Sequence, residues 1–208
     1  MALLLACSAA ACARSPVEDE NAYRNAVARD RAGKEAAFRG PGSPVPPDKQ
    51  GELLPLEYYP VSMAYRVPAV LRVEGDRPMM EMPTSTGQLR RMQRVGTLEF
   101  SVNGQTLSLG AFIEDGAPNF DRLFVPFTDL TSGMETYPAG RYLDLDRTAT
   151  GLYIIDFNLA YNPYCYYNPT YDCPFPPRGN RLGVAVRAGE RIKEELAIAP
   201  ARSADETE

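Results

Sequence analysis

The 208-residue chain contains no histidine. This absence excludes Ser-His-Asp triads, imidazole proton shuttles and most catalytic zinc sites, so acid–base chemistry must rely on carboxylate, tyrosine, lysine or cysteine side chains. Long apolar runs are also absent, since none approaches the roughly 18 residues that span a bilayer. The net charge of −5 is the wrong sign for a nucleic-acid surface. We therefore expect no metal, no cofactor and no nucleic-acid partner.

Two common functional motifs are missing as well. The chain has no Gly-x-Ser-x-Gly nucleophile elbow, which disfavours a serine hydrolase. The hydroxyl-rich segment 83–87 precedes Arg90, Arg91 and Arg94 and has the composition of an anion cradle. It lacks the spaced glycines and the Gly-Lys-Ser/Thr ending of a phosphate loop. The alternative is an ordinary solvated turn.

Length and composition indicate one globular domain with flanking segments. The fractions of 44% hydrophobic and 24% charged residues are those of an ordinary globular protein, and two typical domains would need a longer chain. We divide the sequence into a signal or lipoprotein-type leader, a helix with a Pro-rich connector, a β domain and a charged tail: 1–14, 15–52, 53–190 and 191–208.

The leader resembles the end of a secretory signal that runs into a lipoprotein cleavage site. Small residues precede both Cys7 and Cys12, and Leu4 stands three residues before Cys7. We expect acylation at one of these cysteines, and hence an exported protein held at the membrane by a lipid anchor. No basic residue precedes them, which indicates a translation start upstream of Met1. The alternative is a frayed apolar N-terminus in a cytosolic protein.

An oxidising compartment makes a disulfide between Cys165 and Cys173 the natural assignment. Seven residues separate the two cysteines, and Pro163 and Pro174 flank them. Closing so short a loop stabilises a fold by roughly 2 to 3 kcal/mol on the chain-entropy model. A metal site is the weaker alternative, because two thiolates do not complete a tetrahedral shell.

The N-terminal part of the chain predicts a helix. Residues 15–18 have the spacing of a capping box with proline at the first helical position, and the run to Phe38 is rich in Ala, Arg, Glu and Asp. Tyr23, Val27 and Phe38 lie near one face of this helix. We expect it to pack on the domain through that narrow stripe.

From Val61 to Val73 apolar residues alternate with mostly polar ones, which predicts a long half-buried strand. Pro68 interrupts the pattern and predicts a bend or an edge position there. Further strands are expected at 123–127, 141–145, 151–157 and 182–186. Both faces of the third of these are apolar, which predicts a central strand.

Asn103-Gly104 is a type I′ turn pair between two alternating runs. It predicts a hairpin in which Phe100 lies opposite Leu107 and Leu98 opposite Leu109, all on the core face. Short strands, turn signals and few helices together predict a mainly β fold: an antiparallel sandwich or partly closed barrel with an N-terminal helix.

The segment 156–181 combines tyrosines, asparagines, prolines and two cysteines at the end of a strand. Six of the chain's 12 tyrosines lie between Tyr153 and Tyr171. Proline fixes φ, asparagine tolerates turns, and tyrosine has an apolar body with a polar tip. This composition predicts a stiff, ordered loop that reaches the surface.

Polar residues at strand ends and in the adjoining loops form the candidate ligand-binding set: Asp129, Ser132, Glu135, Arg141, Asp156, Asn158, Tyr161 and Asn162. Asp156 is expected to be either a hydrogen-bonded structural residue or an acid–base group. The loop from Asp129 to Glu135 either binds a ligand or satisfies its own backbone. Arg141 either holds a ligand carboxylate or phosphate, or pairs with Glu135.

Specific short motifs follow one another through the β domain: Tyr65-Arg66-Val67, Pro83-Thr84-Ser85-Thr86-Gly87, Phe124-Val125-Pro126-Phe127, Thr131-Ser132-Gly133 with Glu135-Thr136-Tyr137, Gly140-Arg141-Tyr142-Leu143, Asp156-Phe157-Asn158 with Ala160-Tyr161-Asn162-Pro163, Cys173-Pro174, and Asn180-Arg181-Leu182 with Ala188-Gly189-Glu190. Together they resemble the bacterial family called domain of unknown function 1684, over roughly 58–190. The resemblance implies no biochemical role, and its members include soluble proteins and lipoproteins.

Two functions fit these observations. The first is an envelope-anchored β module that binds a small molecule or a cell-envelope component, since aromatics beside amides suit sugars or peptides. The second is a hydrolase that uses Asp156 with Glu135 or Asp129 as acid and base. A purely structural role for the Tyr-rich segment is a third possibility. The discriminating observation is whether Arg141, Glu135, Asp156 and Tyr161 converge on one concave site.

Overall fold

The helices and strands are those of a computed structural model that describes residues 19–119, 121–149 and 152–193. In these ranges the helices are α1 Glu20–Arg39, α2 Gln50–Leu53 and α3 Tyr164–Tyr167. The strands there are β1 Glu57–Tyr58, β2 Arg66–Val73, β3 Met79–Pro83, β4 Leu89–Val102, β5 Gln105–Glu114, β6 Arg122–Phe127, β7 Arg141–Asp146, β8 Tyr153–Asp156 and β9 Glu190–Arg191. Within the same ranges, no helix combines the length and the apolar character needed to cross a membrane.

One antiparallel sheet of seven strands curls into a nearly closed barrel. Its hydrogen-bonded order is β7-β6-β5-β4-β2-β8, and β3 pairs with β4. The two ends of this order, β7 and β8, lie against each other, and Tyr142 of β7 forms a bridge with Tyr161 beyond β8. β1 and β9 form a separate two-stranded ribbon. The prediction of a mainly β, antiparallel fold with an N-terminal helix is confirmed.

Helix α1 begins after Asp19, whose carboxylate accepts two backbone N–H groups of the first turn at 2.9 and 3.2 Å. Its buried residues are Tyr23, Val27 and Phe38, so the predicted packing stripe is confirmed. The capping box expected at 15–18 lies outside the described residues. This stripe packs α1 on the domain, and Arg31 and Lys34 add polar contacts to Tyr59 and Glu190.

The hairpin predicted at Asn103-Gly104 joins β4 and β5. Both turn residues have positive φ, 49° and 78°, as a type I′ turn requires. Phe100 pairs with Leu107 and Leu98 with Leu109, so the predicted register is confirmed. This register turns Leu98, Phe100 and Leu109 into the barrel.

Strand β2 begins later than the alternating pattern from Val61 predicts. Residues 63–65 form a 3-10 turn capped by Ser62, whose hydroxyl accepts a backbone N–H of the turn at 3.3 Å. Pro68 lies where β2 pairs with β8, ahead of the pairing with β4 that starts at Ala69. In this pairing Pro68 has no partner on the β4 side. Its missing N–H therefore interrupts no hydrogen bond between β2 and β4.

Two strand predictions are wrong. Segment 151–157 is not central, because β8 stands at the end of the hydrogen-bonded order and Leu152 is 49% exposed. Segment 182–186 is irregular, and its backbone makes single hydrogen bonds to the loop after β6, such as that of the Leu182 N–H at 2.8 Å. Its apolar residues alternate because Leu182 and Val186 fill the core, not because the segment joins a sheet.

The sheet is apolar on both faces across β4 to β7. Alternate residues point inward and fill the barrel, among them Leu98, Leu109, Leu123 and Leu143. The residues between them point outward and form two smaller clusters that include Met82, Met92, Phe112, Phe124 and Tyr142. The Tyr-rich loop and the C-terminal part of α1 cover this outward face.

Candidate functional site

A cavity of about 890 Å³ opens on the outward face of the sheet, between the C-terminal part of α1 and the Tyr-rich loop 161–174. We call it the outer cavity. Apolar and aromatic side chains line most of it, with charged ones among them: Lys34, Ala37, Phe38, Arg90, Met92, Ile113, Glu114, Ala117, Arg122, Phe124, Tyr142, Asp144, Tyr161, Pro163, Tyr164, Tyr171, Asp172, Cys173 and Pro174. Both the volume and this lining are typical of small-molecule sites.

Strands β6 and β7 supply the aromatic floor of the outer cavity. The rings of Phe124 and Tyr142 meet edge to face with centroids 4.8 Å apart, and Tyr142 meets Tyr161 in the same way at 5.8 Å. The Tyr142 hydroxyl donates to the carbonyl of Pro174 at 2.5 Å, and the Tyr161 hydroxyl donates to Asp144 at 3.0 Å. Burial raises the pKa of both tyrosines. Both phenols therefore stay neutral, and their hydrogens are already donated within the protein.

The Tyr-rich loop forms the wall of the outer cavity, and a second loop holds it in place. Tyr164 and Tyr171 meet edge to face at 5.2 Å. Ser85 donates its hydroxyl hydrogen to the carbonyl of Tyr171 at 2.9 Å and accepts the N–H of Cys173 at 3.0 Å. The hydroxyl-rich segment 83–87, an anion cradle or solvated turn by sequence, thus binds another loop of the same chain.

Each basic side chain that lines the outer cavity has a carboxylate partner. The pairs are Arg90 with Asp172 at 2.9 Å, Arg122 with Asp144 at 3.3 Å, and Lys34 with Glu190. The lining holds three basic side chains and, counting Glu114, three acidic ones. Its formal charge is balanced, so the cavity offers no strong field to an ionic ligand.

Arg141 is buried, 1% exposed, and all its contacts are internal. Its guanidinium donates to Asp129 at 2.7 Å and to three carbonyls of segment 186–190 at 2.5, 2.8 and 3.1 Å. Asp129 also accepts the N–H and hydroxyl of Thr131 at 2.6 and 2.5 Å. Of the two alternatives for Arg141, pairing with Glu135 is not seen, because Asp129 is the carboxylate partner. The buried pair also leaves no donor directed at a ligand.

Glu135 belongs to a different, more exposed network. Its carboxylate accepts the hydroxyl of Tyr59 at 3.0 Å and two guanidinium N–H groups of Arg187, the shorter at 2.7 Å. Hydrogen bonds from Arg187 lower the pKa of Glu135. Ser132 accepts the N–H of Asp129 at 3.1 Å, so this loop satisfies its own backbone.

Asp156 lies at the start of a third network, which attaches α1 to the barrel. It accepts the hydroxyl of Tyr23 at 2.7 and 2.8 Å and pairs with Arg66 at 3.3 Å. It also accepts the N–H and the side-chain amide of Asn158 at 3.1 and 3.0 Å. The Asn158 amide is in turn bonded to both backbone groups of Ser62 at 2.9 Å. These contacts fit the structural interpretation of Asp156.

Asn162 belongs to a fourth network, centred on Glu190, which is 1% exposed. Glu190 accepts the N–H of Asn162 at 2.7 Å and the hydroxyl of Tyr167 at 2.8 Å, and it pairs with Lys34. The side-chain oxygen of Asn162 is buried without a hydrogen-bond partner. Glu190 was not among the predicted site residues, although it ends one of the motifs in the sequence.

The structure does not bring the eight candidate ligand-binding residues together in one site. Tyr161 lines the outer cavity, and Tyr161 and Asp156 border a smaller cavity of about 340 Å³ beside β7 and β8. The remaining six are held in the networks above. Sequence reasoning missed Phe124 and Tyr142 as cavity residues; the signal for Phe124 was the apolar character of both faces of β6.

The structure holds Cys165 and Cys173 as free, buried thiols in place of the predicted disulfide. They are close neighbours, since the Cys165 N–H donates to the sulfur of Cys173 at 3.2 Å. Cys7 and Cys12, the predicted acylation sites, lie outside the described residues. In the part of the chain that the structure describes, no group of three or more His, Cys, Asp or Glu side chains is placed to hold a metal ion.

Fold and site together define a nearly closed antiparallel β-barrel with an aromatic cavity on its outer face. The sequence model described as "protein of unknown function (DUF1684)" matches residues 52–191, and the chain belongs to this family. An uncharacterised protein of Haloarcula marismortui, solved by solution NMR, is 36% identical, with 84% of this chain and 96% of that chain covered and a TM-score of 0.66. No curated protein matches the chain.

Proposed function

We propose that the protein binds a small, uncharged and mostly apolar molecule with a planar ring in the outer cavity. The observation that carries the proposal is the cavity itself, about 890 Å³ and lined by aromatic rings from β6, β7 and the Tyr-rich loop. Aromatic faces suit planar or ring-shaped ligands, because stacked and edge-to-face contacts add to the burial of apolar area.

The hydrogen bonds inside the lining support recognition by shape. Tyr142 and Tyr161 already donate their hydroxyl hydrogens to Pro174 and Asp144. A ligand that needed these donors would have to break existing bonds, which costs about 1 kcal/mol or more for each. Apolar contact and stacking therefore supply most of the proposed affinity.

The paired charges support an uncharged ligand. Arg90 and Arg122 are each within 3.3 Å of a carboxylate. An anion would gain from the arginines but would meet the same carboxylates, and the repulsion offsets much of the gain. A neutral molecule does not meet this repulsion.

A carboxylate-based hydrolase is less well supported. Asp129, Glu135 and Asp156 each accept hydrogen bonds from different groups, and each belongs to a different network. A glycosidase-type mechanism needs two carboxyl groups that face one bond of the substrate. The contacts of these three residues favour a structural role for them.

A pair of related dyes tests the binding proposal. N-phenylnaphthylamine is a neutral aromatic probe, and anilinonaphthalenesulfonate has the same ring framework with an added negative charge. We expect the neutral dye to bind with enhanced fluorescence and the sulfonate to bind more weakly. Tighter binding of the sulfonate would contradict the charge argument, and no binding of either dye would contradict the proposal.

A matched pair of helix variants places the dye. Ala37 of α1 lines the outer cavity and Ala36 does not, and both are exposed. Ala37→Phe fills space that the ligand needs, so we expect the dye affinity to fall about tenfold or more, which corresponds to about 1.4 kcal/mol. Ala36→Phe should leave it unchanged. Equal effects of the two substitutions, at unchanged circular dichroism, would place the dye elsewhere.

We also propose that the protein is exported and held at the membrane by a lipid on Cys7 or Cys12, and that its ligand is a small molecule or an envelope component. The support is the lipoprotein-like sequence around these cysteines. Expression from the native gene, followed by mass spectrometry of the mature N-terminus, tests it. An acylated cysteine is expected, and an unmodified Met1 in the soluble fraction would overturn the proposal.

A further inference from the structure

Cys165 and Cys173 are positioned to react with each other. The Cys165 N–H lies 3.2 Å from the sulfur of Cys173, and both residues are buried in one cluster with Tyr142. Cys165 is in the short helix α3, and Cys173 is at the other end of the loop that carries Tyr171. This contact brings the two cysteines close enough together for us to consider a disulfide between them.

The two thiols interact and affect each other's acidity. A hydrogen bond from Cys173 lowers the pKa of Cys165. The same hydrogen bond raises the pKa of Cys173. The contact between the two sulfurs therefore favours the thiolate form of Cys165, which is the form that reacts with an oxidant.

The outer cavity gives a small reactant access to the pair. Cys173 lines the cavity, whereas its exposed fraction is 7% and that of Cys165 is 8%. Such a small exposed area favours reaction with a small oxidant such as a hydroperoxide over reaction with a bulky reagent.

We propose that Cys165 and Cys173 form a reversible two-electron redox site that hydrogen peroxide oxidises to a disulfide. The Cys165 thiolate attacks one peroxide oxygen, the O–O bond breaks, and the departing hydroxide takes a proton to give water. The sulfur of Cys173 then attacks the Cys165 sulfenic acid, the S–O bond breaks, and the Cys173 proton leaves with the hydroxide as a second water. Two thiols are oxidised and one peroxide is reduced.

This redox chemistry does not depend on the proposed ligand. Its structural consequence is a covalent link across the loop that forms the cavity wall. The link restrains residues 165–173, which carry Tyr171 and Asp172 into the lining of the outer cavity. The site therefore couples the oxidation state to the shape of that wall.

The test uses the full chain with Cys7→Ser and Cys12→Ser, which leaves Cys165 and Cys173 as its two cysteines. The reduced protein is treated with an equimolar amount of hydrogen peroxide, and free thiols are counted after unfolding. We expect both thiols to disappear, to return after dithiothreitol, and to appear as one linked pair of chymotryptic peptides. Chymotrypsin is chosen because Tyr166, Tyr167 and Tyr171 lie between the cysteines.

A Cys173→Ser variant separates a redox pair from two independent thiols. In this variant the sulfenic acid of Cys165 has no partner thiol, so we expect dimedone to trap it, whereas the parent chain should give little adduct. Equal dimedone labelling in both chains, persistence of both thiols, or a link between two chains would overturn the proposal. Failure of dye binding would leave these thiol measurements unaffected, so the two proposals fail separately.

Discussion

Arg141 is the residue whose surroundings most clearly assign it a role. A buried guanidinium is costly unless its donors and its charge are matched, and here four acceptors match it: the Asp129 carboxylate and three carbonyls of segment 186–190. This segment makes no long ladder with the barrel, so Arg141 supplies the polar attachment that a strand would otherwise provide. Its role is to hold the fold.

Substituting Arg141 tests that role. Arg141→Met leaves the Asp129 carboxylate buried without its partner, and we expect a loss of roughly 3 to 5 kcal/mol in the free energy of unfolding, measured in urea. Adding Asp129→Asn removes the unpaired charge and should restore part of the loss. Arg187→Met is the control, because that exposed arginine pairs with Glu135 at the surface. A midpoint for Arg141→Met equal to that of the control would contradict a structural role.

The acidity of Cys165 gives a second prediction at the scale of one residue. Because its pKa is lowered, a larger fraction of Cys165 should be thiolate at pH 7 than of an ordinary cysteine. In the chain that keeps only Cys165 and Cys173, the rate of thiol loss with peroxide should rise with pH through a midpoint below that of an ordinary cysteine and then level off. A midpoint at the roughly 8.5 of an ordinary cysteine would show that the neighbouring hydrogen bonds do not activate the sulfur.

At the scale of elements, the sequence predicted the elements that are determined by residues close together in the chain. The hairpin follows from Asn103-Gly104, since a type I′ turn needs positive φ at both residues, and α1 follows from an apolar stripe of period 3.6. Segment 182–186 shows the limit of such signals. Its alternation reflects burial against distant parts of the chain, and no local rule separates that from pairing in a sheet.

Two glycines in different elements give opposite expected effects. Gly33 lies within α1 with nothing within 4 Å of an added Cβ, so Gly33→Ala should stabilise the protein by about 0.5 to 1 kcal/mol. Gly104 has φ of +78° in the hairpin turn, so Gly104→Ala should destabilise it by roughly 1 to 2 kcal/mol. Urea unfolding of both variants provides the comparison. The same sign of change in both would mean that backbone conformation does not control these positions.

At the scale of the whole molecule, the sheet is apolar on both faces, but the barrel encloses only the inward face. The inward face fills the core, and the outward face of β4 to β7 must be covered by something else. Helix α1 and the Tyr-rich loop cover most of it and leave the outer cavity between them. The cavity is thus the part of the outward face that residues 19–119, 121–149 and 152–193 leave unfilled.

The whole-molecule arrangement also explains which parts of the site the sequence predicted. The Tyr-rich loop was recognised by its composition, and Tyr161 of that loop lines the cavity. The sequence left the roles of Arg141 and Asp156 open, because polar residues at strand ends look alike in a sequence, whether they face a ligand or a distant partner. The Tyr23 hydroxyl that donates to Asp156 belongs to a residue 133 positions earlier in the chain. The periodicity of apolar residues carries no information about such contacts.

The most direct test of the binding account is an NMR titration of isotope-labelled protein with N-phenylnaphthylamine. The account predicts that the largest amide shift changes lie around the outer cavity, at residues such as Ala37, Phe124, Tyr142 and Tyr171, with little change at Thr131 and Asn158. Saturation at one dye per chain is expected, because the lining forms one cavity. Changes centred on the loop 129–136 or on Asp156, or no saturable change at all, would contradict it.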